Sequence, residues 1–166
     1  MRWLLPHFMF LLASCHSGVW HYGSIRNSRP QYSFAKLTYP ASHIHDGIEL
    51  EIVCVGREEI YAYINVKQYH FIPHEGDALQ TSLTIQTNHA TKNFIIPLLE
   101  GRQRARLTGE CLAHLLYSLE RHLSVTLYSG HFSGTLNAEN FKKHYHDLIA
   151  QPRRFLPEQL ITFALY

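Results

Sequence analysis

The chain has 166 residues, 46% of them hydrophobic and 17% charged, with 15 basic and 13 acidic side chains and a formal charge of +2. This length and apolar content suit one domain with a real core and exclude a disordered chain, and the near-balanced charge leaves no basic surplus for nucleic acid. Histidine is the compositional oddity, with 13 copies, and no solenoid period or heptad run is present.

The first element in chain order reads as a targeting segment. Arg2 and the amino terminus make a small positive start, and residues 3–14 are almost all apolar. As a helix this stretch rises only about 18 Å, short of the roughly 30 Å hydrocarbon core of a bilayer. The composition alone leaves two readings open: a signal, or a buried amino-terminal segment whose cysteine sits in the core. Leu12-Ala13-Ser14-Cys15 resembles the lipobox of bacterial lipoproteins, an aliphatic residue and two small ones before the cysteine. The resemblance implies cleavage before Cys15, whose thiol then carries a diacylglycerol. Two or three acyl chains, at ~0.8 kcal/mol per buried methylene, would hold the chain firmly at a membrane. His16 stands where the lipoprotein pattern places Asp for inner-membrane retention, so the resemblance implies the outer membrane, facing the periplasm.

The expected organisation is a signal peptide over 1–14, a lipid-anchored tether over 15–42, a globular domain over 43–150 and a tail over 151–166. Ser, Gly, Pro and Asn recur through 16–42 without a sustained period, although Trp20, Tyr22, Tyr32, Phe34 and Tyr39 make it unusually aromatic. From Ile44 the period becomes two. Ile48, Leu50, Ile52 and Cys54 alternate with Glu49 and Glu51, and a turn at 56–59 leads to a second strand through Ile60, Ala62, Ile64 and Val66. Leu79, Leu83 and Ile85 predict a third strand and Phe94 to Leu98 a fourth, with Pro97 at its end or on an edge. At Thr108, a predicted amino-terminal cap, the period turns helical, and Leu112, Leu115, Leu116, Leu119 and Leu123 form one stripe. Ser124 to Tyr128 reads as a short strand, Ser129 to Gly134 as a loop, and Asn137 as the cap of a second helix ended by Pro152. Strands followed by helices predict an α+β fold, an antiparallel sheet of about five strands with two helices packed on one face.

Three groups of residues suggest chemistry. Arg102, Arg104 and Arg106 alternate, so an extended backbone would align three guanidiniums suited to phosphates or carboxylates. Tyr61 and Tyr63 share the outward side of the first hairpin and would join them as a contact surface if the helices cover the other face. His43 and His45, two apart, would share a face of an extended chain and converge on a transition metal. Cys54 and Cys111 would survive signal cleavage and are read either as a disulfide between sheet and helix or as buried free thiols.

Catalytic signatures are missing: the sequence has no Gly-x-Ser-x-Gly elbow, Cys-x-x-Cys, His-Glu-x-x-His or phosphate-cradling glycine loop. The expectation is therefore a lipid-anchored envelope protein without a cofactor, a non-catalytic module for an envelope protein or anionic polymer. The alternatives are a metal-binding lipoprotein using His43 and His45, and an envelope hydrolase whose residues converge only in space.

Overall fold

The computed structural model describes residues 18–25, 34–55 and 59–150. The Cys15 motif and the tail 151–166 lie outside the described residues. In chain order the elements are β1 (His21–Ile25), β2 (Phe34–Tyr39), β3 (Glu49–Val55), β4 (Glu59–Asn65), β5 (Gln80–Gln86), β6 (Thr91–Pro97), β7 (Arg104–Leu107), α1 (Gly109–Glu120), β8 (Val125–Ser129), β9 (Phe132–Leu136) and α2 (Phe141–Ala150). The class is α+β, as expected, but the strands divide between two antiparallel sheets rather than forming one. A five-stranded sheet runs β1-β2-β3-β4-β7 and a four-stranded sheet runs β6-β5-β8-β9. Period-two patterning identifies a strand without naming its partner, which is why one sheet and two sheets read alike in the sequence.

Residues 18–25 and 34–39 do not behave as a tether. β2 pairs with β3 along its whole length, and Ala35, Leu37 and Tyr39 face the core. Their alternation with Lys36 and Thr38 is a strand signal, hidden in the sequence by the surrounding Ser, Gly and Pro. Trp20 is buried, donates its indole N–H to the Asn137 carbonyl at 2.7 Å, and packs on Tyr39 and Phe141 with ring centres 4.8 and 4.9 Å away. The Tyr39 hydroxyl accepts from the Asn137 N–H at 3.0 Å. The folded domain therefore begins well before residue 43.

The predicted loop over 129–134 is mostly strand. Ser129 pairs with Phe132, so Gly130 and His131 make a two-residue hairpin turn, with Gly130 in the left-handed region at φ 60°. Pro97 ends β6 on the edge of its sheet, where its missing N–H costs no ladder bond.

Both helices pack on the buried side. α1 turns Cys111, Leu115, Ser118 and Leu119 inward and lies against β8 and α2, while α2 buries Phe141 and Leu148 against β2 and β3. Thr108 stands at the α1 N-cap but its hydroxyl makes no capping bond. Asn137 holds an Asx turn, accepting from the Glu139 N–H at 2.9 Å, and α2 starts beyond it. One apolar cluster joins helices and sheets.

Two seams connect the sheets. Past the end of β6, Leu98 bridges Ala105 of β7. On the other side Gly47, just before β3, bridges Ser133 of β9, with the Ile48 N–H donating to the Ser133 carbonyl and the Ser133 N–H to the Asp46 carbonyl, each at 2.9 Å. Gly134 permits this second approach, since a Cβ there would meet the Ile48 carbonyl oxygen at 2.8 Å. With the core filled from within, no described element covers the other face of either sheet.

Candidate functional site

The outward face of the five-stranded sheet carries a charge and aromatic network. Alternation in β3 sends Leu50, Ile52 and Cys54 inward and Glu49, Glu51 and Val53 outward. The register sets Glu51 beside Tyr63 of β4 and Tyr63 beside Arg106 of β7. Glu51 binds Lys36 of β2 at 2.9 Å and Arg104 of β7 at 2.6 Å, and the Asn65 amide donates to it at 3.4 Å. The Arg104 guanidinium lies over the Tyr63 ring at 3.9 Å and that of Arg106 over the Tyr61 ring at 4.7 Å. The Tyr61 hydroxyl donates to Glu59 at 2.7 Å.

Electrostatics follow from these contacts. Burial alone would raise the Glu51 carboxyl, but the Lys36 hydrogen bond, the Arg104 and Lys36 charges and the Asn65 amide outweigh it and hold the group below its ordinary value. Hydrogen bonding to Glu59 and its charge push the Tyr61 phenol up. Arg104 is thus committed to Glu51 and Tyr63. Arg106 is exposed and makes no ion pair among the described residues.

Arg102 does not join the other two arginines. It lies in a turn before β7, in the left-handed region at φ 52°, with its N–H bonded to the Leu99 carbonyl. The alternation in Gly-Arg-Gln-Arg-Ala-Arg aligns guanidiniums only where the backbone is extended, and extension begins at Arg104. Tyr61, Tyr63, Arg104 and Arg106 are brought together. Lys36 and Glu51 complete the set, and the sequence does not reveal them: Lys36 stands in a stretch whose composition resembles a tether, and a carboxylate on an outward strand face reads as solvated.

His43 and His45 sit in a turn, not on an extended segment, so spacing by two does not place them on one face. The turn is closed by the Gly47 N–H bonding to the His43 carbonyl at 3.1 Å. The two histidines line a shallow depression with Asp46, Tyr69 and His131. Among the described residues, no group of three or more His, Cys, Asp or Glu side chains is arranged to hold a metal ion. Cys54 and Cys111 are buried free thiols and form no disulfide. Burial raises Cys54 and pushes Cys111 up to about 12, so neither is a nucleophile near neutral pH.

Among the described residues, the nearest approach to a hydrolytic pair is His74 Nδ1 beside the Ser82 hydroxyl at 3.0 Å. It is exposed, and the adjacent Asp77 accepts from the Leu79 N–H rather than orienting the ring. Among the described residues no helix is long and apolar enough to cross a membrane. Compared with protein-family models, curated proteins and solved structures, the chain shows no match.

Proposed function

We propose that this is a bacterial envelope protein, moored through a lipid on Cys15 at the outer membrane, whose domain binds another macromolecule without catalysis. The observation that carries the binding role is the open outward face of the five-stranded sheet. Both helices pack on the opposite side, and this side, uncovered by any of the described residues, presents two guanidinium–tyrosine stacks. Stacked pairs of this kind are stiff and partly desolvated, so a partner that covers them loses little side-chain freedom. Arg106 is the group offered to an envelope protein or an anionic polymer, because Arg104 is already neutralised by Glu51. The Leu12-Ala13-Ser14-Cys15 motif supports the anchor.

The test is photo-cross-linking in intact cells from a reactive residue placed at position 63. A discrete adduct is expected, reduced at least tenfold when Arg106→Ser and Tyr61→Ser are combined in the same chain. Equal adduct yield with and without those changes would remove this face from consideration.

A second reading is transition-metal capture by His43 and His45, which line one depression with His131, although no three metal-ligating side chains there are arranged around a common point. Equilibrium dialysis of the full chain with zinc, copper or nickel tests it. Binding that survives replacing both histidines by alanine would refute it.

A further inference from the structure

The outward face of the four-stranded sheet differs from that of its neighbour in one respect: its strands place no Asp, Glu, Lys or Arg on it, and the His74 imidazole meets it only at one end, with Nδ1 3.0 Å from the Ser82 hydroxyl. Across all four strands one rung reads Asn93, Thr84, Tyr128, Ser133, in direct register. The next reads Thr91, Gln86, Thr126, Thr135. Towards the far end of β5 and β6, Ser82 faces Ile95 and Gln80 faces Pro97. No Asp, Glu, Lys or Arg occupies any outward position of β5, β6, β8 or β9. The one lysine of these strands, Lys92, points to the other side, in register with the buried Ile85. About a quarter or more of a soluble protein's surface positions are ordinarily charged. The other sheet follows that habit, with Lys36, Glu51, Glu59, Arg104 and Arg106 all facing outward.

From this face we infer a binding surface for a neutral polysaccharide chain. Hydroxyl and amide groups both donate and accept, which matches the hydroxyls of a sugar, and an uncharged ligand pays no penalty for desolvating a fixed charge. Cross-strand bonds hold the groups in place: the Thr84 hydroxyl donates to Asn93 Oδ1 at 2.8 Å, and the Thr126 and Thr135 hydroxyls lie 3.2 Å apart. Each bond leaves further donors and acceptors turned outward. Strands about 4.8 Å apart repeat these groups across the sheet at a near-constant step, as a polymer of one repeating unit requires. Tyr128, 40% exposed and in the middle of its rung, offers a flat ring for a sugar face to stack on. Ile95, 54% exposed, extends the apolar part toward the sheet edge. A charged polymer or an acidic protein would find no counter-charge here and would be drawn to the other sheet.

The test is affinity electrophoresis of the full chain in a polyoxyethylene detergent, which has no sugar headgroup to compete. Gels contain a soluble mixed-linkage β-glucan, a galactomannan, a dextran or, as the anionic comparison, alginate. Retardation by at least one neutral polymer and not by alginate alone is expected. Tyr128→Ala and, separately, Thr135→Lys should each weaken that retardation tenfold or more. Both positions are exposed, and circular dichroism checks that the variants fold. Arg106→Ser, on the other sheet, should leave it unchanged, so loss of the Arg106 surface and loss of this one are told apart. Mobility unaltered by all three neutral polymers, retardation by alginate alone, or retardation that survives both variants overturns the proposal.

Discussion

Glu51 carries the clearest pH signature. Its carboxyl is held below the ordinary value of 4.5 in the folded state, so its contribution is fully present above that pH and is lost as the pH falls through the folded value. His114 works at a higher pH. Burial, and then the Lys92 charge, hold it below 6.5, so the unfolded chain takes up the proton first and stability begins to fall below pH 6.5. Urea unfolding at stepped pH should therefore show two declines, one from 6.5 and one from 4.5. In Glu51→Gln only the lower decline should flatten. The variant should cost about 1 kcal/mol at neutral pH, since its two cationic partners stay partly exposed. Trp20 is the other test at this scale. It is buried and hydrogen-bonded across a large sequence separation, so Trp20→Ala should cost about 3–5 kcal/mol in the same measurement. A loss below 1 kcal/mol would mean that the amino-terminal strands contribute little to the fold. Neither residue's role was legible in the sequence. Trp20 stands in a Gly- and Ser-rich stretch, and the partners of Glu51 arrive from strands distant in the chain.

Elements were legible where local periodicity persisted. β3, β4, β5 and α1 follow from Ile48 to Cys54, Ile60 to Val66, Leu83 with Ile85, and the leucine stripe, because a single residue's face is set by backbone geometry alone. β9 was not, because Ser133 and Gly134 are turn residues by composition. Gly134 is kept in a strand by the close approach of Ile48. The end of α1 is another local feature that patterning did not show. His122 stands in the left-handed region at φ 59°, while the Leu123 N–H reaches back to the Ser118 carbonyl at 3.1 Å. A side chain there is strained by about 1 kcal/mol, which glycine avoids. His122→Gly is expected to raise the unfolding free energy by about 0.5 kcal/mol, net of the added freedom of the unfolded chain. A clear loss in thermal unfolding would show that the imidazole makes a contact worth more than the strain.

For the molecule as a whole, the thiols report both anchor and core. The proposed anchor requires that protein recovered from a membrane fraction show the mass of a chain beginning at an acylated Cys15, and burial requires that Cys54 and Cys111 stay unreactive to a thiol reagent until denaturant is added. Fast reaction of either thiol in the native state would contradict its burial, and an unmodified amino-terminal segment would contradict the anchor. The sequence by itself determined the α+β class, the faces of most strands and the inward side of α1, because each depends on residues a few positions apart. It also singled out Tyr61, Tyr63, Arg104 and Arg106. Only the tertiary structure decided that Arg102 stands apart, that His43 and His45 lie in a turn, and that the strands form two sheets joined at two seams. It alone placed every outward Asp, Glu, Lys and Arg of the described strands on one sheet and none on the other. Those outcomes rest on which strands pair and in what register. Pairing is chosen by burial summed over the whole core, a quantity that no local window of residues contains.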